Sequence, residues 1–239
     1  MKTMQIIGLT GGIGTGKSTV CKLLREIDPK IIIIDADVLS HEATKPGKLP
    51  YLLLKYFILP KDCFNTETGE LVRSILAELI FAPNQKGRAL KKIVERCIHP
   101  WIIWQMCLRI VWYWLNGEGR VVLDIPLLFE AKLQWICTRT VLIDTSKAEI
   151  QLERILKRNP QMSEEEAKNR IAAQFPMEKK RELADRIIKN DTSVSELREA
   201  LKIEFKTVDL FSQRLKYLFI PLLTMVIVLV SMLSFMKIS

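Results

Sequence analysis

The stretch from Gly11 to Ser18 constrains the fold of this chain more strongly than any other, because it matches the pattern G-x-x-x-x-G-K-[ST]. A mostly apolar run, 5–9, precedes it, and the helix-forming stretch 18–26 follows. The glycines let the backbone turn so that N–H groups converge on phosphate oxygens at a helix start. The pattern predicts a strand–loop–helix unit that binds nucleotide phosphates through Gly11, Gly12, Ile13, Gly14, Thr15, Gly16, Lys17, Ser18 and Thr19.

Short apolar runs alternate with helix-forming segments along the chain. The apolar runs are rich in Ile and Val and lack in–out alternation, which indicates parallel strands covered on both faces. They are 5–9, 31–34, 120–123, 140–143 and 186–188. The helix-forming segments are 18–26, much of 50–115, 147–158 and 163–174. This order predicts a doubly wound α/β fold with a five-stranded parallel sheet.

Two of the strand runs end in aspartate. The run 31–34 leads into Asp35-Ala36-Asp37, and the run 120–123 leads into Asp124. Ligands of open α/β sheets lie beyond the carboxyl ends of the strands, so we expect these side chains near the phosphates. Asp124 is predicted to hold Mg²⁺ together with Ser18, and Asp37 to orient or deprotonate an attacking hydroxyl. A helix cap or turn role is the alternative for either aspartate.

A pair of helices after the fourth strand carries basic residues. Ser163 and Glu166 form a capping-box pattern at the start of the second helix. Arg158 and Arg170 lie on the two helices, and arginines placed over a γ-phosphate stabilise the charge of a phosphoryl-transfer transition state. Lys17 supplies a further cation at the phosphates. Ordinary solvated charge is the alternative interpretation of the two arginines.

Taken together, these motifs resemble the dephospho-CoA kinase family over roughly residues 5–201. The stretches that carry the resemblance are 8–19, Asp35-Ala36-Asp37, Pro46-Gly47, His99-Pro100, 124–130, 151–154, Arg158-Asn159, 167–174, Ala184-Asp185 and Asn190. The resemblance implies a P-loop kinase that transfers the γ-phosphate of ATP to the ribose 3′-hydroxyl of dephospho-CoA with Mg²⁺. It implies a base-like Asp37, lid arginines Arg158 and Arg170, and substrate binding by Arg73 and His99. For His99, a buried helix-capping role is the alternative.

The resemblance also implies a division of the chain. The kinase domain is expected at 4–205, with a helical substrate-binding insertion at about 44–118 and a lid at about 148–176. The aromatic stretch 101–115 is expected to pack as a helix of the insertion, and shallow membrane contact by its rings is the alternative.

Composition limits the partners. A net charge of +9 fits polyanionic partners such as nucleotides, nucleic acid or an acidic membrane surface, and a generic basic surface is the alternative. Among these partners, we do not expect a nucleic acid. The five cysteines include no C-x-x-C pair, which indicates reduced thiols rather than disulfides or zinc. With only two histidines, a His-rich metal site is excluded. The sequence does not predict an oligomeric state.

The end of the chain has a different character. Residues 206–217 form a basic linker, and 218–236 is an uncharged apolar stretch of about 19 residues, long enough to cross a bilayer. We expect a single-pass C-terminal anchor with the kinase domain facing the cytosol, in the endoplasmic reticulum or mitochondrial outer membrane. A buried or interfacial helix is the alternative.

Two other functions remain open from the residues alone. One is a P-loop kinase with another nucleoside-like acceptor, and the other is a membrane-anchored scaffold that only binds nucleotide. A scaffold does not need Lys17, Ser18, Asp37 and Asp124 together. A GTPase is disfavoured because no N-K-x-D element that would read guanine occurs in the sequence.

Overall fold

A computed structural model describes residues 4–82 and 84–205 of the chain. These residues form two compact units, one from 4–35 and 112–205 and one from 36–111. The basic linker 206–217 and the membrane segment 218–236 that we expect from the sequence lie outside the described residues. Among the helices that the structure describes, none has the length and apolar character needed to span a membrane.

The first unit is built on a parallel sheet of five strands in the order β2-β3-β1-β4-β5. The strands are β1 Gln5–Gly11, β2 Ile32–Asp35, β3 Arg120–Asp124, β4 Arg139–Asp144 and β5 Arg186–Lys189. The predicted five-stranded α/β sheet is confirmed. The three central strands are almost entirely buried, which explains why their sequences are continuous apolar runs without alternation.

Helices connect and cover the strands. In chain order they are α1 Lys17–Ile27, α2 Ala36–Ala43, α3 Leu49–Leu53, α4 Arg73–Phe81, α5 Gln85–Leu115, α6 Ala148–Arg158, α7 Glu164–Ala172, α8 Met177–Leu183 and α9 Val194–Glu204.

The core of the first unit forms where α1 and α9 pack on the sheet. Val20, Leu23 and Leu24 repeat at helical spacing on α1 and join Leu197 and Leu201 of α9 in one buried cluster with the apolar strand residues. Full burial of each such side chain contributes about 1.5–3 kcal/mol to folding. This packing places the start of α1 at the carboxyl edge of the sheet, where β1 ends.

The second unit is helical and contains α2, α3, α4 and most of α5. A π-helical turn at Leu54–Ile58 and a 3-10 turn at Lys61–Cys63 follow α3, and Phe64 pairs with Leu71 in an isolated antiparallel bridge. The prediction that much of 50–115 is helical is confirmed, and these turns separate its helices. In the aromatic stretch of α5, Trp101 is buried, as the packed-helix interpretation requires, whereas Trp112 is 59% exposed.

Candidate active site

The phosphate loop connects β1 to α1 through two left-handed glycines. Gly14 has φ 81° and Gly16, the residue before α1, has φ 87°. A side chain is strongly disfavoured in this conformation, so the motif glycines are required by the backbone. Thr15 closes the loop by donating from its N–H and its hydroxyl to the Gly12 carbonyl, at 3.2 and 2.8 Å. Turns of this kind, followed by a helix N-terminus, are anion-binding geometry.

Side chains from distant elements hold the outside of this loop. The Asn190 amide, just after β5, donates to the Thr15 carbonyl at 2.8 Å. Gln151 of α6 donates to the Ile13 carbonyl at 3.0 Å, and Gln174 accepts from the Ile13 N–H at 3.0 Å. The sequence motif predicted the loop but none of these three contacts, since their residues are separated from the loop by more than 130 positions.

Lys17, the first residue of α1, meets Asp124, the last residue of β3, at the carboxyl edge of the sheet. Asp124, the last residue of β3, is buried, and one of its carboxylate oxygens pairs with the Lys17 ammonium group. The other oxygen accepts from the Cys21 thiol at 3.1 Å. Asp35, the last residue of β2, lies opposite Asp124 in the strand register. The structure therefore brings Lys17 and Asp124 into contact, and their roles in binding phosphate and metal stay predictions.

Cys21 is a contact that the sequence analysis missed. It lies on α1 one turn after Lys17, and this i, i+4 spacing was the available signal. Burial and the neighbouring charge of Asp124 raise the pKa of the Cys21 thiol well above its usual range. Cys21 therefore stays protonated and acts as a hydrogen-bond donor to the carboxylate.

The donor set at this edge fits Mg²⁺. Ser18 is exposed in the first turn of α1 and offers a hydroxyl, and Asp124 offers a carboxylate. Mg²⁺ prefers such oxygen ligands and usually completes its coordination with substrate phosphates and water. Residues 4–82 and 84–205 contain no group of three or more His, Cys, Asp or Glu placed to hold a metal ion. A phosphate-loop site does not require one.

The two arginines predicted to belong to a lid are exposed on α6 and α7. Arg158 is in the last turn of α6 and Arg170 in the last turn of α7. The capping box before α7 is present, because the Glu166 N–H donates to Ser163 Oγ at 3.2 Å and the Ser163 N–H donates to Glu166 Oε2 at 2.9 Å. The predicted start of the second lid helix is therefore confirmed.

Arg154 lies closer to the phosphate loop than the sequence analysis anticipated. Its Nη2 donates to the Asn190 carbonyl at 2.9 Å. Its Nη1 is buried, has no hydrogen-bond partner among the described residues, and lies 3.8 Å from where a Cβ on Gly16 would be. A buried donor without a partner is costly, so this guanidinium is placed to take an acceptor at the loop.

The remaining predicted site residues belong to the second unit or its start. Asp37 is exposed in the first turn of α2, two residues beyond the end of β2. Arg73 begins α4 and donates to Thr44 Oγ1 at 2.8 Å and to the His41 carbonyl at 3.4 Å. His99 is exposed on α5, so the alternative of a buried capping histidine is wrong.

Comparison with known proteins identifies a family for this chain. Residues 5–196 match the family model for dephospho-CoA kinase. The chain is 37% identical over 206 residues to the dephospho-CoA kinase CAB5 of Saccharomyces cerevisiae, covering 86% of this chain and 83% of that protein. It is 41% identical over 205 residues to the dephospho-CoA kinase of Bacillus cereus, covering 84% and 96%. The solved dephospho-CoA kinase of Campylobacter jejuni superposes with a TM-score of 0.61 at 27% identity, covering 83% and 94%.

Proposed function

The chain belongs to the dephospho-CoA kinase family, its activity is that of a dephospho-CoA kinase, and we propose that it acts by direct phosphoryl transfer at the phosphate loop. ATP supplies the γ-phosphate, the ribose 3′-hydroxyl of dephospho-CoA accepts it, and ADP and coenzyme A are the products. The contact of Lys17 with Asp124 at the end of β3 is the observation that carries this mechanism. It places a cation and a carboxylate at the start of α1, where phosphate binds.

The proposed roles follow from charge and position. Lys17 neutralises the β- and γ-phosphates, and Arg158 and Arg170 stabilise the charge that develops on the transferring group. Asp37 orients the acceptor hydroxyl and takes its proton. When bound by Ser18 and Asp124, Mg²⁺ would polarise the phosphate oxygens.

The second unit is proposed to bind the acceptor. Arg73, at the start of α4, is exposed, and its Nη2 donates to Thr44 Oγ1 and to the His41 carbonyl. His99 is exposed on α5. A cation and an imidazole of this kind suit the phosphates of a coenzyme A precursor.

An acceptor-dependent assay tests the reaction. With Mg²⁺, the purified full-length chain is expected to form ADP from ATP much faster when dephospho-CoA is present than with adenosine as acceptor or with no acceptor. Asp37→Asn should lower kcat by about 100-fold or more with little change in KM for ATP, because the base is lost and the phosphate contacts are kept. Asp62→Asn, at an exposed position in the 3-10 turn Lys61–Cys63, is the matched control. Unchanged kcat in Asp37→Asn would remove Asp37 from the mechanism.

We propose in addition that residues 218–236 anchor the enzyme in a membrane with the kinase domain facing the cytosol. The support is in the sequence alone: an uncharged apolar stretch preceded by Lys206, Arg214 and Lys216. The full-length chain in cells is expected to remain in the pellet after alkaline carbonate extraction, whereas a chain ending at 217 is expected in the supernatant. Microscopy should place the full chain on the endoplasmic reticulum or mitochondrial outer membrane. Carbonate-soluble full-length chain would refute the anchor.

A further inference from the structure

Both backbone groups of Ile13 in the phosphate loop are bound by glutamine side chains. The Gln151 amide donates to the Ile13 carbonyl at 3.0 Å, and the Gln174 side-chain oxygen accepts from the Ile13 N–H at 3.0 Å. Gln151 is 2% exposed and Gln174 is half-buried. With its donor and its acceptor both engaged, Ile13 has little freedom to rotate.

The two glutamines come from opposite ends of the lid. Gln151 lies in the first turn of α6, and Gln174 lies two residues after the end of α7. The lid therefore contacts the phosphate loop both at the start and at the end of the lid segment. Between these two contacts along the chain lie Arg154, Arg158 and Arg170.

Close packing supports the same contact. A Cβ on Gly14 would lie 2.7 Å from the Gln151 carbonyl oxygen, and a Cβ on Gly12 would lie 2.9 Å from Met177 Sδ. Both distances are too short for real atoms, so the loop glycines allow the start of α6 and the start of α8 to approach the loop backbone.

The return end of the lid is also tied to the sheet. The Phe175 N–H, next to Gln174, donates to Glu130 Oε1 at 3.0 Å. The same carboxylate oxygen pairs at 2.8 Å with Lys180, whose side chain is fully buried on α8. The backbone next to Gln174 is therefore held by Glu130, and the Gln174 side chain reaches the loop from that held position.

We propose that Gln151 and Gln174 are positioning residues that couple the phosphate loop to the lid through Ile13. They fix the position of the lid arginines relative to the bound phosphates. They also keep the lid packed against the phosphate loop, which excludes water from the transferring group. The inference rests on the proposed function, because it concerns the transfer that the loop and lid perform together.

The coupling predicts that loss of either glutamine contact changes the ratio of ATP hydrolysis to phosphate transfer, rather than only lowering the rate of transfer. A loosened lid admits water, so ATP hydrolysis without acceptor should rise relative to transfer to dephospho-CoA. We expect this ratio, measured at saturating ATP on the full-length chain, to rise about 10-fold in Gln151→Leu and in Gln174→Leu. The double variant should show less than the product of the two changes, because both act on Ile13. Gln161→Leu, in the exposed turn between α6 and α7, is the matched control.

Glutamate at each position separates the hydrogen bond from the shape of the side chain. Gln174 accepts a bond, so Gln174→Glu keeps the contact and should leave the ratio near that of the wild type. Gln151 donates, so Gln151→Glu loses the contact and should raise the ratio. Hydrogen exchange of the Ile13 amide, which requires no turnover, should quicken in Gln174→Leu but not in Gln174→Glu. If a leucine variant does not fold, the glutamate pair supplies the same comparison.

The outcomes distinguish the coupling from the function on which it rests. If the wild type transfers phosphate and both rates fall in parallel in the variants, or if Gln161→Leu changes the ratio equally, the coupling is overturned and the function stands. If the wild type forms no ADP in response to dephospho-CoA, the proposed function is overturned and the coupling with it.

Discussion

Asp124 receives a different donor on each of its carboxylate oxygens, Lys17 on one and the Cys21 thiol on the other. The lysine is part of the phosphate loop and is expected to follow the nucleotide. The thiol is buried, and its raised pKa keeps it protonated, so it is the constant partner of the carboxylate. Partners of this kind orient metal ligands and tune their affinity.

This arrangement leads to a prediction for Cys21. Cys21→Ala removes the donor and should raise the Mg²⁺ concentration for half-maximal ADP formation by about 10-fold, whereas Cys21→Ser keeps a donor and should stay near the wild type. A Mg²⁺ titration of nucleotide binding, followed by fluorescence, checks the effect without turnover. Cys97→Ala, in a buried position on α5, is the control. Equal Mg²⁺ requirements for Cys21→Ala and Cys21→Ser would contradict an orienting role for the thiol.

At the scale of elements, the segment predicted to form the lid contains a helix, α7, that starts with a complete capping box. The α7 helix has three acidic residues in its first turn, and Ser163 and Glu166 exchange hydrogen bonds across the cap. The acidic first turn complements the positive end of the helix dipole. With little buried apolar surface on α7, where Ala167 is the buried residue, the cap supplies a large share of its local stability.

Removal of the cap should therefore act locally. Ser163→Ala is expected to destabilise α7 by about 1 kcal/mol and to speed amide exchange within 164–172 roughly 5-fold, since about 1.4 kcal/mol corresponds to a factor of ten. Ser163→Asp keeps an acceptor at the cap and should exchange as the wild type does. Hydrogen–deuterium exchange with mass spectrometry gives both values. Exchange that is unchanged in Ser163→Ala would show that tertiary contacts, not the cap, hold the helix.

At the scale of the molecule, one buried ion pair joins the sheet to the segment that returns from the lid. Lys180 on α8 has a fully buried side chain, and its ammonium group lies 2.8 Å from Glu130, which also accepts from the Phe175 N–H. Next to it, Arg181 binds both carboxylate oxygens of Asp144 at 2.8 and 3.1 Å at the end of β4. These contacts fix α8 against the carboxyl ends of the strands.

The ion pair predicts that removing one of its two charges destabilises the fold more than removing both. Glu130→Leu leaves the Lys180 charge buried without a partner and should lower the free energy of unfolding by about 3–5 kcal/mol. The double variant Glu130→Leu with Lys180→Met removes both charges and should recover most of that loss. Urea denaturation of the full-length chain measures both. A double variant as unstable as Glu130→Leu would mean that the charge is not the cause.

Much of this molecule could be predicted from local sequence patterns. The phosphate loop, the five parallel strands and the cap of α7 are each specified within about ten consecutive residues, because glycine conformation, apolar runs and capping geometry act over short distances. That Asp124 lies at the same edge of the sheet as the phosphate loop was also predictable. Parallel strands end at one edge of their sheet, so the residue that closes β3 and the loop that follows β1 both lie there.

The contacts that hold the loop and the lid were decided by the tertiary structure. Asn190, Gln151 and Gln174 reach the loop from positions between 138 and 175 residues away in the chain. Arg154 was one of several basic residues on an amphipathic helix, and only the fold turns it to the loop. A single amide or guanidinium carries no periodic signal, because its partner is set by how whole elements pack. The sequence by itself therefore determined that phosphate is bound and where the chain turns to bind it, and the packing of α6, α7 and α8 decided which side chains hold that turn.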